Sequence, residues 1–351
     1  MAGTLTEETI VLALKSMALL KAGDAPKVEP LSDQDRWRSY KISVDGRPLL
    51  MRSSSKESCA AAHFYSTTAA QYVPDLRPKV LGCDAERGIL VEEWLDPGEY
   101  KSLAHELLHE EAGVGWSTPF RADEFSQVDF EGVLSDAGEK IGKIHAGTGF
   151  VQFRNVAKGA TRASPPDTFL RAVSAHPRLA NRLRGIAEQS ARSDPVLLHG
   201  CLSPNSILFN EESAVAIANP DYVASGDPAV DLAHMMAHLF IASVYQHSCG
   251  LVTAAGYFHG GYARAIETLD KLAIMQRAGP LTVAFMLALL EDEQVSSFLD
   301  ARDKEDILEF SQWWLCRRDY TLGQVRDGLW FSVDQGSLDC GKFESLPRAD
   351  E

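Results

Sequence analysis

The central part of the chain alternates short apolar runs with polar loops. Residues 195–198 and 207–209 read as two short strands on either side of a polar loop, and residues 214–218 read as a third strand. A Gly-Asp-Pro turn at 226–228 then leads into an apolar helix that begins near Ala229. The pattern predicts a small group of strand ends that gathers polar residues in one place.

The remaining hydrophobic pattern divides the chain into a strand-rich beginning and a helix-rich end. It predicts an N-terminal amphipathic helix, a hairpin over 37–52 with a turn at Asp45-Gly46, and a strand over 88–95. Helices are predicted over residues 57–72, 130–145, 169–175, 180–192, 228–246, 253–277, 282–290 and 304–326. This order predicts an α+β protein.

Composition narrows the class of partner. The 351 residues carry a formal net charge of −15, whereas nucleic acids and anionic membranes attract basic surfaces, so we expect neither as a partner. The six cysteines show no CxxC pair, which is typical of a reduced cytoplasmic chain. The longest apolar run, 283–290, is too short to span a bilayer.

Three short motifs lie in the central stretch. Residues 199–206 read HGCLSPNS, residues 217–221 read IANPD, and residues 226–233 read GDPAVDLA. In this order they resemble the small-molecule kinases with a protein-kinase-like fold, a group that includes aminoglycoside phosphotransferases, choline kinases, fructosamine kinases and methylthioribose kinases. Methylthioribose kinases look closest, because Ser206 and the Asn-Pro-Asp strand end echo their variant of the motifs.

The resemblance implies a two-lobed fold with a small antiparallel β lobe and a larger, mainly helical lobe. It places the small lobe in residues 1–95, the large lobe in residues 96–351, and a catalytic-loop-like segment in residues 196–233. It also implies ATP and Mg²⁺ as cofactors. Asp227 and Asp231 match family positions that cap a helix and hold the catalytic loop.

Two charged groups of the family's catalytic centre are replaced in this chain. The catalytic Asp of the family maps onto Cys201, and a thiol with a pKa near ~8.5 is a poor hydrogen-bond acceptor at neutral pH. The metal-binding Asp maps onto Asn219, which offers a neutral oxygen to a hard cation. Asp221 is the carboxylate left at that strand end, so it is the candidate metal ligand. Because phosphoryl transfer depends on positioning and charge neutralisation, these replacements predict lost phosphotransfer.

The resemblance also places a nucleotide site between the lobes. The phosphate-binding Lys of the family falls on Arg52, and the preceding loop at 31–37 contains no glycine. The helix over 57–72 has no carboxylate where the family pairs one with this Lys, which leaves Glu57 as a shifted alternative. The other candidate cofactor-binding residues are Glu92, Glu93 and Trp94 at the hinge and Ser206 in the catalytic loop.

The sequence leaves three functional hypotheses open. The first is a pseudokinase that binds a small molecule or a partner protein. The second is an active ATP-dependent small-molecule kinase in which Asp221 holds the metal and His199 or Ser203 contacts the hydroxyl group. The third is a non-kinase transferase that uses Cys201 as a nucleophile, primed by His199. The sequence names neither the ligand nor the oligomeric state.

Overall fold

The protein is described by a computed structural model that covers residues 6–21, 25–34, 37–108, 129–149 and 167–334. A five-stranded antiparallel sheet comes first, in the strand order β1-β2-β3-β5-β4. Its strands are β1 (Lys27–Gln34), β2 (Trp37–Val44), β3 (Arg47–Ser53), β4 (Val80–Asp84) and β5 (Ile89–Glu93). The helices that follow form a larger lobe, so the predicted two-lobed α+β architecture is confirmed.

The hairpin of the small lobe forms as the sequence predicts. Strands β2 and β3 pair antiparallel, and Asp45 and Gly46 both adopt positive φ angles, 49° and 75°, as a two-residue hairpin turn requires. The predicted loop over 31–37 is wrong in part, because β1 continues to Gln34 and pairs with β2 up to Trp37. Pairing satisfies the backbone groups of that segment, which a loop would leave to water.

The N-terminal helix covers the outer face of this sheet. Helix α1 (Glu7–Ser16) buries Ile10 and Leu14 against a cluster that includes Ile42 and Met51. Its N-cap is Thr6, whose hydroxyl accepts a hydrogen bond from the backbone N–H of Thr9 at 3.3 Å. The sequence predicts a capping box that begins at Thr4, which lies outside the described residues. With its outer face covered, the sheet leaves its inner face for the second helix and the cleft.

Helix α2 (Lys56–Tyr72) packs into both lobes. Its first half buries Cys59 and Ala62 against the inner face of the sheet, beside Trp37. Its second half buries Tyr65 and Ala69 in the core of the large lobe. The helix thus ties the lobes together, and the predicted boundary between residues 95 and 96 stays a prediction.

The large lobe is built on long helices with small residues at their contacts. Helix α4 (Phe130–Thr148) packs closely against helix α8 (Cys249–Ala265). The other described helices of this lobe are α3 (Leu103–Leu108), α5 (Asp167–Ala175), α6 (Ala180–Ala191), α7 (Ala229–Tyr245), α9 (Lys271–Leu289), α10 (Glu293–Ser296), α11 (Ala301–Leu315) and α12 (Leu322–Asp334).

Helix α9 is the central apolar helix of this lobe. It is longer than the apolar run 283–290, because Ala278, Gly279 and Pro280 continue the buried helix towards its N-terminus. By length and composition it is the one described helix that could cross a membrane, and 78% of its apolar window is buried within the fold. Its hydrophobicity is therefore accounted for by packing in the core.

Two predicted helix boundaries are wrong. The predicted helix over 253–277 is interrupted after Ala265, because the side chain of Asp270 accepts a hydrogen bond from the backbone N–H of Ala273 at 3.0 Å and starts a new helix. The predicted helix over 304–326 ends at Leu315, and helix α12 begins at Leu322. The predicted helix over 282–290 is the second half of α9.

Short strands bring the three motifs together. Strand β7 (Val196–Leu198) pairs with β10 (Ala224–Gly226), and β8 (Ile207–Phe209) pairs with β6 (Lys101–Ser102) and with β9 (Val215–Ile217). These strands confirm those predicted at 195–198, 207–209 and 214–218. The segment that follows β9 reaches the small lobe, where Asp221 forms an ion pair with Arg52.

Candidate functional site

The loop after strand β7 is held by one buried carboxylate. Asp231, in the first turn of helix α7, accepts hydrogen bonds from the backbone N–H groups of His199 at 2.7 Å and Gly200 at 2.9 Å. Gly200 has a φ of 87°, and a Cβ at that position would collide with the carbonyl oxygen of Tyr222. The geometry agrees with the loop-holding role expected for Asp231.

Asp231 is also connected to the helices beneath it. Its carboxylate lies 3.2 Å from Nε2 of His145, and Nδ1 of that ring lies 2.8 Å from the hydroxyl of Tyr262. Burial would raise the pKa of Asp231, but its hydrogen bond with His145 and the nearby backbone N–H groups hold the pKa below the ordinary value. A charged carboxylate is therefore fixed under the loop.

Asp227 supports the start of the same helix. It directly precedes the N-cap residue Pro228, and its carboxylate accepts a hydrogen bond from the backbone N–H of Ala229 at 3.0 Å. It also accepts two hydrogen bonds from the guanidinium of Arg277, at 2.8 and 3.0 Å. Such a two-bond contact fixes the orientation of both side chains. The supporting residues of the motifs are thus in place.

Cys201 lies half-buried in the held loop, where the resemblance places a catalytic carboxylate. Burial, together with the nearby carboxylates of Asp221, Asp231 and Asp292, raises the pKa of its thiol to about 12. Ser206 is buried, and its hydroxyl donates a hydrogen bond to the carbonyl of Cys201 at 3.4 Å. Ser206 consequently contacts the backbone of the loop.

The His199 ring is hydrogen-bonded to the backbone just after strand β9. Its Nε2 lies 2.9 Å from the carbonyl oxygen of Ala218, which requires that this nitrogen carries the proton. Tyr65 packs edge-on against the ring, with 5.6 Å between the ring centroids. Burial lowers the pKa of His199, so the ring is neutral at pH 7. His199 therefore serves as a packing element between the loop and strand β9.

The strand end after β9 carries Asn219 and Asp221. Asn219 adopts a positive φ of 57°, in the left-handed region that Asn tolerates better than most residues. Asp221 forms an ion pair with Arg52 of the small lobe, although 169 residues separate them in the sequence. The candidate metal ligand and the candidate phosphate-binding residue are therefore bonded directly to each other.

The side chain of Arg52 is buried between Trp37, Glu92 and Asp221. Its guanidinium stacks over the Trp37 ring at 4.2 Å from the ring centroid, and its Nη1 lies 3.7 Å from Oε2 of Glu92. Arg52 and Glu92 are only 2% and 1% exposed, respectively. The alternative pairing of Arg52 with Glu57 is wrong, because Arg52 points across the inner face of the sheet to Glu92 and Asp221. Burial raises the pKa of Glu92, against the opposing effect of Arg52.

The residues expected at the hinge separate into two positions. Glu92 is still within strand β5, opposite Leu50 of β3, and faces Arg52. The carboxylate of Glu93 turns instead to Arg77, at 3.4 Å. Trp94 follows the strand, and the ammonium of Lys41 lies 4.8 Å from the centroid of its ring. Glu92 and Glu93 are thus the last two residues of β5 and Trp94 follows them, and their role at a nucleotide hinge stays a prediction.

The sequence alone missed two contributors to this site. The sequence pattern predicts Trp37 in a strand and gives it no role in the cleft, although its alternation with Ser39 places it on the face that carries Arg52. Asp292 follows helix α9, far from the motifs, yet it contributes to the electrostatics of Cys201. The strand pattern gave a usable signal for Trp37, whereas no local pattern singles out Asp292.

The described residues do not fit a bound magnesium–nucleotide complex. Asp221 is engaged by Arg52, and Asn219 offers no charge, so neither supplies a free carboxylate to a hard cation. The guanidinium that would meet the phosphates is already neutralised by carboxylates and covered by Trp37. We therefore derive no reaction step through such a complex.

Comparison with solved structures defines the fold. An amicoumacin kinase, solved with AMP-PNP, Ca²⁺ and Ami, has a TM-score of 0.51 at 12% identity, over 95% of this chain and 95% of that chain. An ethanolamine kinase from Plasmodium vivax has a TM-score of 0.51 at 10% identity, over 89% of each chain. No protein-family model matches the sequence, and neither does any curated protein.

These similarities agree with the motifs and with the arrangement of the lobes. The chain has the protein-kinase-like fold of the small-molecule phosphotransferases. At identities of 10% and 12% the comparison establishes the fold and no more.

Proposed function

We propose that the chain is a pseudokinase, a phosphotransferase fold that binds a small molecule or a partner protein and does not transfer phosphate. The observation that carries this proposal is the ion pair between Arg52 and Asp221. It joins the residue at the phosphate position to the one carboxylate at the metal position. The net charge of −15 supports a ligand other than nucleic acid or an anionic membrane.

The chemistry at Cys201 supports the same proposal. A thiol with a pKa of about 12 stays protonated at neutral pH and cannot accept a proton from a substrate hydroxyl. A positioned base typically contributes a factor of about 10²–10⁴ to the rate. The loss of this base and of the metal-binding charge at Asn219 together removes the main sources of phosphoryl-transfer catalysis.

A second candidate function is an active small-molecule kinase. The hydrogen bonds of Asp231 and Asp227 favour it, because the loop is held as a working site would need. A kinase of this fold has been solved with AMP-PNP and Ca²⁺, so ATP and a divalent cation are the cofactors to test. This candidate requires Arg52 to release Asp221.

The third hypothesis is a transferase that uses Cys201 as a nucleophile. It is opposed by the protonated thiol and by the hydrogen bond that holds the His199 ring.

ATP turnover by the purified chain tests the proposal. We expect no Mg²⁺-dependent ATP hydrolysis by the wild type. The double variant Cys201→Asp/Asn219→Asp restores both missing carboxylates and is compared with Cys316→Asp, which changes an exposed cysteine outside the site. Turnover by the double variant alone would support a site that lost its catalytic charges. Mg²⁺-dependent turnover by the wild type that disappears in Asp221→Asn would overturn the proposal.

A further inference from the structure

Arg52 faces two carboxylates that belong to different lobes. Its Nη2 is bonded to Asp221 in the large lobe, while its Nη1 is buried and has no hydrogen-bond partner in the described part of the chain. Glu92 of the small lobe lies close to that unbonded nitrogen, with 3.7 Å between Nη1 and Oε2. The guanidinium of Arg52 is therefore bonded to Asp221, and a small movement would bring its Nη1 into contact with Glu92.

The two carboxylates differ in how they move relative to Arg52. Glu92 is on strand β5, which pairs with the strand of Arg52, so the two residues stay together if the lobes separate. Asp221 is on the opposite side of the cleft and would be carried away. A buried guanidinium that loses its counter-charge is strongly destabilised, so an open cleft requires a partner within the small lobe.

Other contacts join the two lobes independently of Arg52. Helix α2 is buried in both lobes, and the ammonium of Lys140 lies 2.7 Å from the carboxylate of Asp75 in the turn that follows this helix. Separation of the lobes would therefore begin where Arg52 contacts Asp221. The guanidinium carbon of Arg52 lies over the Trp37 ring, 4.2 Å from its centroid, so this contact is kept if the guanidinium turns about that carbon.

We propose that Arg52 is a two-position latch of the cleft, bonded to Asp221 when the lobes are closed and to Glu92 when they are open. Glu92 is thus the small-lobe partner of this residue, a role that the sequence had suggested for helix α2. The inference rests on the proposed function in one respect, because it takes the closed cleft as the place where the ligand binds. The latch itself belongs to the protein without any ligand.

Hydrogen exchange of the ligand-free chain tests the latch. We expect Asp221→Asn to accelerate amide exchange around residues 219–222 by roughly tenfold, since a charged hydrogen bond is worth at least about one such factor. Glu92→Gln removes the open-state partner, so exchange there should equal or fall below the wild-type rate. Glu93→Gln is the matched control, because it changes the next carboxylate on the same strand, which pairs with Arg77 outside the latch.

Thermal unfolding of the double variant Asp221→Asn/Glu92→Gln completes the test. Because Arg52 then has no charged partner, we expect its Tm to fall by more than the sum of the two single changes. Equal acceleration of exchange in both single variants, or none in either, would overturn the latch. An Asp221→Asn chain that fails to fold would also overturn it, because Glu92 would then be unable to sustain Arg52. No arm contains nucleotide, so these outcomes are independent of the ATP turnover test.

Discussion

Cys201 lies where the resemblance to small-molecule kinases places a catalytic carboxylate, and its surroundings oppose ionisation. Burial raises the pKa of the thiol to about 12, and Asp221 and Asp292 act in the same direction. The loop around it is nevertheless held in place by Asp231. The site therefore keeps the supports of a catalytic loop around a neutral side chain, and a ligand would meet a preformed surface there.

Thiol labelling tests this description of Cys201. A thiolate is the reactive form of cysteine, so we expect Cys201 to react with a maleimide at pH 7.5 at least about a hundredfold more slowly than the exposed Cys316. Its rate should rise with pH up to pH 10 as the thiolate fraction grows. The measurement is mass spectrometry of the labelled peptides, with Cys201→Ser as the control for assignment. Labelling of Cys201 ahead of Cys316 would contradict the account and revive the nucleophile reading.

The motifs were sufficient to predict the supporting residues but not the partner of Arg52. The roles of Asp227 and Asp231 follow from the resemblance of the 226–233 motif to the kinase family, although the backbone groups that Asp231 holds lie 31 and 32 residues earlier in the sequence. The ion pair of Arg52 with Asp221 joins residues 169 positions apart and depends on how the lobes close. No local pattern encodes that contact. The burial of Glu92 was accessible in principle, since it shares a strand face with Leu90.

Among the elements, helices α4 and α8 show how closely the large lobe is packed. Gly261 faces α4 so tightly that a Cβ would collide with the carbonyl oxygen of Ser135. The adjacent Gly260 meets only the flexible end of Arg264, at 3.6 Å. A side chain at Gly261 would therefore collide with α4, whereas the space beside Gly260 can accept one.

This difference gives a prediction with its own control. We expect Gly261→Ala to lower the free energy of unfolding by about 1–3 kcal/mol, because the helices must move apart. Gly260→Ala should be neutral or stabilising by up to about 1 kcal/mol, because it reduces the freedom of the unfolded chain. Urea denaturation followed by circular dichroism measures both variants. Equal effects of the two substitutions would show that the close approach of α4 and α8 is not a constraint.

The elements themselves were largely predictable, whereas their interruptions were not. Strand and helix periodicities located the hairpin, helix α2 and the short strands of the motifs. The break after Ala265 was missed because it depends on a single cap, Asp270, within an otherwise apolar stretch. The continuity of α9 was not predicted, and it contains a proline, which usually ends or kinks a helix, whereas Pro280 lies buried inside α9 and stays helical.

At the scale of the whole molecule, the fold is that of small-molecule phosphotransferases, and the cleft between its lobes is closed by its own residues. The fold could be predicted because three motifs within about forty residues carried the resemblance. The state of the cleft could not, because it depends on charges contributed by both lobes. The predicted cytoplasmic location, ligand class and boundary at residue 95 stay predictions.

Nucleotide binding is the most direct test of the central claim that this cleft does not serve phosphotransfer. The measurement is a thermal-shift titration of the wild-type chain with ATP, with and without Mg²⁺. A ligand at about a hundred times its Kd would stabilise the fold by about 2.7 kcal/mol, a shift of several degrees. The account predicts no Mg²⁺-dependent shift while Arg52 holds Asp221. A Mg²⁺-dependent shift that is lost in Asp221→Asn would contradict it and establish Asp221 as a metal ligand.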